Sequence, residues 1–321
     1  MKSTAKRKVI SGLSSQEYEH PLDRVALENL KKIPILPKLV EVINVPYDSI
    51  IRLIHGGSFL RASDKQMPSI YKLFREACDI LEVEEPELYV SSEAQLNAYT
   101  GCPDKPIICV SGYLIDIMDE TELMFVLGHE LAHIKSGHIT YSAVANVIRQ
   151  GVLDAILASI PGMGLVSGSA SIALNYAFFQ WYQAGELSCD RGGYLACQDF
   201  KASSSALMKL AGTSKTYIKE QNLDAFIEQA RSFESTGFGA LGNIQKIILS
   251  YMAATHPYTV SRGLELLKFE ESGKYSNILQ RKPILVEEAP PEATQDKGNV
   301  AGEALGKAKN LAGGMLSKLK K

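Results

Sequence analysis

The sequence predicts a mostly helical α+β fold with a small sheet. Apolar residues recur at helical spacing in most segments, and only the region 87–112 carries short runs rich in β-branched and aromatic residues. The 321 residues, of which 45% are hydrophobic, can bury a sizeable core in one large domain or two ordinary ones. Helices are therefore expected to supply most of the fold.

The chain divides into four expected parts. A leader at residues 1–15 is predicted to be disordered, and residues 16–66 are predicted to form a helical segment that prolines interrupt. The main domain is expected over residues 67–284. The remainder, 285–321, combines a linker rich in proline and charge with a basic tail.

The main domain begins with a predicted helix over residues 67–81. Two short strands follow, near residues 87–100 and 105–112, with turn residues between them. Further helices are expected over residues 172–197, 203–235 and 241–255.

Another helix is predicted between the strands and residue 172. Asp119 with Glu122 three residues later is typical of a capping box, which marks the start of a helix. That helix is expected to end near Gly137.

Charge and cysteine content exclude some classes of protein. A net charge of −2 gives no basic surface that could displace counterions from nucleic acid, so no nucleic-acid partner is expected. The five cysteines are odd in number and widely spread, which favours a reducing compartment over a disulfide framework. No apolar run follows the basic N-terminal residues, so no secretory signal is predicted and the expected location is cytoplasmic.

The segment GHELAHIKSGH at residues 128–138 predicts a metal site. Because residues four apart share one helical face, His129 and His133 can both direct an imidazole nitrogen at one ion. Glu130 follows the first histidine and can act as general base on water beside the ion. The expected ion is zinc, one Zn²⁺ per chain, which polarises a carbonyl and lowers the pKa of water toward about 7. Histidines merely packed in a helix are the alternative, but a buried helix should not carry such groups without partners.

A catalytic zinc site needs a third protein ligand. The segment QAGELSCDRGG at residues 183–193 offers Glu186 and Asp190, four residues apart on one helical face. We assign Glu186 as the third ligand and Asp190 as the acceptor that orients His129 through its other ring nitrogen. A solvent-facing acidic pair is the alternative for both. Cys189 is a rival ligand, but it points about 80° away from that face.

This combination of motifs resembles the gluzincin zinc metallopeptidases. The similarity is greatest to the HtpX-like and CAAX-prenyl-protease family, whose pattern is HExxH followed by ExxxD, here at residues 129–133 and 186–190. Further matching positions are Leu96-Asn97-Ala98-Tyr99, Gly137-His138, Thr255-His256-Pro257 and Arg262. The resemblance covers about residues 67–270, and it implies that the main domain at 67–284 is a gluzincin-like zinc metallopeptidase domain.

The resemblance also implies roles for residues outside the ligand set. Asn97, Ala98 and Tyr99 would form an edge strand against which an extended substrate pairs. The same residues, taken alone, also fit the end of a strand that enters a turn. His256 would lie close to the metal as a catalytic residue that stabilises the oxyanion or caps the open position. A surface histidine is the alternative for His256.

Four more residues have simpler expectations. Arg262 is expected to brace the cleft through a buried carboxylate. His138, five residues beyond His133, would face away from the ligands, so it is expected to be structural. His20 and His55 have no predicted partners.

The uncharged run within residues 155–185 raises the question of membrane contact. One crossing of a core about 30 Å thick would place His133 and Glu186 on opposite sides, which argues against a single span. We expect residues 151–179 to form a helical hairpin packed over the cleft, and peripheral membrane contact is the alternative. The basic tail at 302–321 fits either an interfacial helix or a solvated segment.

Together these observations predict a zinc-dependent endopeptidase that hydrolyses peptide bonds in a peptide or unfolded protein. Glu130 would take a proton from water and return it to the leaving amine. The alternative is a capped, non-hydrolytic zinc module that binds misfolded chains in a chaperone-like role, with His256 over the open position.

Overall fold

The computed structural model describes residues 7–153, 155–156, 169–236 and 259–282. Helices dominate within these ranges, as the sequence predicts. The helices are α1 (Ser15–Tyr18), α2 (Pro21–Lys31), α3 (Leu36–Ser58), α4 (Pro68–Leu81), α5 (Gly112–Ile117), α6 (Glu120–Lys135), α7 (Ile139–Arg149), α8 (Ser169–Cys197), α9 (Phe200–Ala211), α10 (Leu223–Thr236), α11 (Thr259–Glu271) and α12 (Lys274–Leu279). The strands are β1 (Leu60–Arg61), β2 (Glu87–Ser91), β3 (Ala98–Gly101) and β4 (Ile107–Ser111), and a 3-10 turn lies at Ile218–Glu220.

The four strands form one small mixed sheet in the order β1-β2-β4-β3. The central strands β2 and β4 are parallel, with Leu88 opposite Ile108, while β1 and β3 pair antiparallel with their neighbours. In the described part of the chain, β3 pairs only with β4, so β3 lies at one edge of the sheet.

Alternate side chains of the sheet enter two different cores, because successive residues of a strand point to opposite faces. Leu88 and Ile108 face the main core, which α4, α6, α8 and α9 complete. Tyr89 and Cys109 face the other side, where Phe59 at the end of α3 packs against them. The sheet therefore separates α3 from the helices that carry the predicted metal ligands.

The helix that carries the HExxH motif begins where the sequence predicts. The Asp119 side chain accepts hydrogen bonds from the backbone of Thr121 and Glu122, and the Glu122 carboxylate bonds back to the Asp119 backbone. This reciprocal cap satisfies backbone donors that a helix start leaves open. From Glu122 to Ala132 every residue of α6 is buried, so a partner helix must cover it closely.

Glycines allow α8 to cross α6 at close range. A Cβ on Gly128 of α6 would lie 2.3 Å from the Cβ of Ala196, and a Cβ on Gly192 of α8 would lie 2.4 Å from the Cβ of Ala132. Side chains larger than hydrogen would force the helices apart at both points. Small residues at this crossing bring the motif on α6 and the acidic pair on α8 within reach of one metal ion.

The N-terminal helices build a second core with α7 and the first half of α8. Its buried members include Leu30, Leu39, Val144, Phe178 and Trp181. The apolar residues at the start of α8 are thus covered by protein from Leu174 onward. Among the described residues, no helix combines the length and apolarity that a membrane crossing requires.

The segment that precedes α1 differs from the expectation of a disordered leader. Ile10 is fully buried, and its backbone N–H donates to the carbonyl oxygen of Ile80 at 3.2 Å. Arg7 donates to the carbonyl oxygen of Cys197 at 3.2 Å. The expectation is wrong for residues 7–15, because the apolar residues Ile10 and Leu13 join the main core.

The first predicted strand, 87–100, is two strands in the structure, β2 and β3, since residues 92–97 form a connection between them. The helix at 241–255, residues 154 and 157–168 of the hairpin at 151–179, and the tail at 285–321 lie outside the described residues. The limits of the four expected parts of the chain remain predictions.

Candidate metal centre

The two motif histidines and Glu186 converge between α6 and α8. The Nε2 atom of His129 lies 3.6 Å from Oε2 of Glu186, and Nε2 of His133 lies 3.5 Å from Oε1 of the same carboxylate. His129 and Glu186 are buried, and His133 is partly buried. One possible ligand atom from each residue lies within 4.8 Å of the other two.

This donor set fits a zinc ion. Bonds of about 2.0–2.1 Å at tetrahedral angles separate neighbouring ligand atoms by about 3.3–3.4 Å. The observed separations of 3.5 and 3.6 Å are close to that spacing. Burial lowers the pKa of His133 to about 4, the nearby His129 ring acts in the same direction, and Glu186 opposes both. His133 is therefore a neutral imidazole, which is the form that binds a metal.

The outer nitrogen of His129 contacts the second acidic residue of α8. Its Nδ1 lies 3.0 Å from Oδ1 of Asp190. Burial raises the pKa of Asp190, but Arg262 and His129 outweigh it, so the pKa lies below its usual value. A charged Asp190 can only accept, so Nδ1 of His129 donates to it, and the opposite ring nitrogen, Nε2, faces Glu186.

Arg262 on α11 holds both acidic residues. Its Nε and Nη2 donate to Asp190 at 2.7 and 2.6 Å, and its Nη1 lies 2.8 Å from Oε2 of Glu186. This forked, charge-assisted contact fixes the two carboxylates in the orientation that the histidines require. The bracing contact predicted from the sequence is present, and it joins α11 to α8.

The outer nitrogen of His133 contacts another histidine. Its Nδ1 lies 3.0 Å from Nδ1 of His138, and Nε2 of His138 lies 3.0 Å from Oδ2 of Asp23 on α2. The prediction that His138 faces away from the ligands is wrong, because α6 ends at Lys135 and Gly137 adopts a φ of +72°. That left-handed residue ends the helix and turns the next side chain back toward the site.

Asp23 was not predicted to belong to the site. Its Oδ2 also accepts a hydrogen bond from the hydroxyl of Ser188 at 2.6 Å, and Ser188 in turn accepts from the backbone N–H of His20 at 2.9 Å. The side chains of Asp23, His138 and Ser188 are all buried. Nothing in the sequence near Asp23 marks it, although His138 was singled out as part of the motif.

Glu130 is buried beside the candidate ligands. Burial raises the pKa of Glu130 well above its usual range, the Glu186 charge adds to this, and Arg262 opposes it. A cation among the ligands would also oppose it, because positive charge favours the ionised carboxylate. The position suits a carboxylate that exchanges a proton during a reaction.

The residues predicted to pair with substrate lie at the sheet edge. Ala98 and Tyr99 belong to β3, and the backbone carbonyl of Asn97 just before it accepts from the N–H of Ser111. The Tyr99 hydroxyl lies 2.8 Å from Nε2 of His55, so His55 has a partner that the sequence did not predict. His256 lies outside the described residues.

The described residues offer one other group that could hold a metal. His133, His138 and Cys189 place ligand atoms within 4.8 Å of one another. The sulfur of Cys189 lies 3.5 Å from Nδ1 of His138. The two histidine Nδ1 atoms are 3.0 Å apart, which is a hydrogen-bond distance and shorter than the spacing of about 3.3–3.4 Å around a tetrahedral ion.

Comparison with known proteins gives a consistent result. A sequence model of peptidase family M48 matches residues 64–270. The plastoglobule-localized metallopeptidase 48, chloroplastic, of Arabidopsis thaliana is 33% identical over 276 residues, which cover 84% of this chain and 76% of that protein.

Bacterial proteins are similar at lower identity. A protease HtpX homolog of Campylobacter curvus is 28% identical over 229 residues, covering 65% of this chain and 77% of its own length. Another, from Bifidobacterium longum, is 26% identical over 255 residues, covering 71% and 76%. No solved structure matches the chain.

Proposed function

Because this chain belongs to peptidase family M48 and is a metalloendopeptidase, we propose that it hydrolyses peptide bonds with one zinc ion held by His129, His133 and Glu186. The observation that carries the proposal is the meeting of two imidazole nitrogens and a carboxylate at 3.5–3.6 Å. As a peptidase it acts on peptides or proteins, and we propose that unfolded chains are among them.

A bound zinc ion would supply a Lewis acid that polarises the scissile carbonyl and makes water more acidic. The protein contributes the proton transfers. The carboxylate of Glu130 accepts a proton from the attacking water and delivers it to the nitrogen of the leaving amine. A raised pKa makes the carboxylate of Glu130 a stronger base, so it accepts the proton of the attacking water more readily.

We propose that the substrate lies along β3. An extended chain can pair with the free edge of a sheet through backbone hydrogen bonds and needs little sequence specificity to do so. The edge position of β3, beside α6, supports this role for Asn97, Ala98 and Tyr99. A further catalytic role for His256, as oxyanion donor or cap, remains a prediction.

The test is the Glu130→Gln variant in a casein digestion assay. The amide keeps the shape of the side chain but cannot accept the proton, so activity is expected to fall about 10²–10⁴-fold while zinc content stays equal to that of the wild type. Equal and negligible digestion by both proteins, with zinc bound in each, would instead support the capped, chaperone-like module.

The cellular location is a separate proposal. The plant relative is named for plastoglobules and the chloroplast, whereas the sequence alone favoured the cytoplasm, with peripheral membrane contact through 151–179 or 302–321. Fractionation of cells that express the chain, followed by a salt wash of the membrane fraction, tests whether it is bound peripherally.

A further inference from the structure

The outer side of His133 is held differently from that of His129. A metal-binding histidine usually donates its other ring N–H directly to a carboxylate, a backbone carbonyl or water. His133 instead contacts a second imidazole, and the carboxylate of Asp23 lies one step further away. Both links are 3.0 Å long.

One arrangement of hydrogen bonds in this row leaves His133 able to bind a metal. A metal held by Nε2 of His133 requires the ring proton on Nδ1, which then donates to Nδ1 of His138. His138 in turn carries its proton on Nε2 and donates it to Oδ2 of Asp23. The carboxylate at the far end thus favours the tautomer of His133 that a metal ligand needs.

We propose that Asp23 is a positioning residue of the metal centre, acting through His138 to fix the ring and tautomer of His133. The inference rests on the proposed metal site. It also assigns a role to the N-terminal segment. Helix α2 lies outside residues 64–270, which match the family, and its Asp23 contacts His138 of the metal centre.

The surroundings of Asp23 support a dedicated role. Asp23 is 2% exposed and His138 is 4% exposed. A buried charge costs stability unless it is paired and hydrogen-bonded, and here the partners are the imidazole of His138 and the hydroxyl of Ser188. Asp23 lies in the first turn of α2, where the helix dipole favours a negative charge.

The test is the metal affinity of Asp23→Asn in the full-length protein. The amide is uncharged and can present either its oxygen or an N–H to His138, so the tautomer of His133 is less firmly fixed. Zinc affinity, measured by competition with a chelator, is expected to fall at least about tenfold. The visible spectrum of the cobalt-substituted protein is expected to change, because the geometry of one ligand changes.

A matched control is Glu122→Gln. Glu122 is also a buried carboxylate, in the first turn of the motif helix α6, and it bonds Ser205 and Lys209 rather than the histidines. This variant is expected to lower the melting temperature of the metal-free protein and to leave zinc affinity and the cobalt spectrum unchanged.

The outcomes separate the two proposals. Failure of the wild type to bind zinc would refute the metal site itself, whereas wild-type affinity and spectrum in Asp23→Asn would refute the role of Asp23 alone. Two zinc ions per chain would also overturn it, since His133, His138 and Cys189 would then form a second site. Should Asp23→Asn not fold, Ser188→Ala removes a donor to the same carboxylate, and unchanged zinc affinity in that variant would count against the inference.

Discussion

The two histidines of the HExxH motif are supported in different ways. The outer ring nitrogen of His129 contacts one carboxylate, that of Asp190. Arg262, which is buried, donates two hydrogen bonds to this carboxylate. The outer ring nitrogen of His133 contacts the imidazole of His138, which contacts the carboxylate of Asp23. Asp23 also accepts a hydrogen bond from Ser188. The first support comes from α8, which also carries the proposed ligand Glu186, and the second comes from α2 near the N-terminus.

The difference shows which contacts of a metal centre come from neighbouring residues in the sequence and which come from the tertiary fold. Asp190 lies four residues after Glu186, so one helical face carries both the proposed ligand and the carboxylate that contacts His129. Asp23 is 115 residues from His138, so only the tertiary fold brings them together. We therefore expect the support of His129 to be more rigid than that of His133. Its loss should lower stability and zinc affinity by a larger amount.

The strongest test of this comparison is Asp190→Asn. The change replaces the charged acceptor of His129 by a neutral amide and removes one of the charges that neutralise the buried Arg262. Breaking a buried ion pair costs about 3–5 kcal/mol, and loss of the partner of a metal ligand typically lowers affinity about 10–100-fold. Chemical unfolding and chelator competition measure the two effects. A smaller loss of zinc affinity than in Asp23→Asn would reverse the proposed order.

A change where α6 and α8 cross should disturb the supports of His129 and His133 equally. In Gly192→Ala the new methyl group would meet the Cβ of Ala132 at 2.4 Å and push α8 from α6. Overpacking of this kind costs about 1–3 kcal/mol, measured by urea unfolding, and zinc affinity should also fall.

Gly212→Ala is the matched control, because a Cβ there would meet no atom within 4 Å. An equal loss of stability in both variants would show that the close crossing is not the cause.

The smallest effect on stability is expected at the contact between Glu265 and His20, the residue that caps the start of α2. Glu265 lies 3.4 Å from Nε2 of His20 and 2.7 Å from Nζ of Lys268. Burial raises the pKa of Glu265, but these partners outweigh it and lower the pKa to about 2. A lowered pKa stabilises the fold above the unfolded-state pKa of about 4.3, and this stabilisation is lost as the pH falls toward 2.

Wild type and Glu265→Gln should therefore differ by about 1–2 kcal/mol at pH 6–7, after solvent screening, and the difference should shrink below about pH 4.5. Urea unfolding at several pH values measures it. A difference that stays constant down to pH 3 would show that the Glu265 charge does not anchor α2.

The sequence was sufficient for the parts of the site that depend on helical periodicity. The capping box at Asp119 predicted where α6 begins, and the spacings of four placed His129 and His133 on one face and Glu186 with Asp190 on another. The mostly helical fold with a small sheet is confirmed. These features follow from local rules that a helix imposes on its own residues.

The features that the sequence did not predict depend on where a helix ends or on contacts between residues far apart in the chain. His138 was assigned to the wrong face because helical spacing was counted past Lys135, where the helix ends and Gly137 with its positive φ turns the chain. Asp23 carries no local signal, since an acidic residue in the first turn of a helix is ordinary. The burial of residues 7–15 also depends on contacts with α4 and α8 that no periodicity reveals.

The account depends most on the ligand set, and metal analysis tests it directly. Purified wild type is expected to contain about one zinc per chain, and Glu186→Ala, prepared in parallel, is expected to contain almost none because two histidines alone do not complete the site. Zinc retained at the wild-type ratio in Glu186→Ala would contradict the assignment and move the third ligand to another residue.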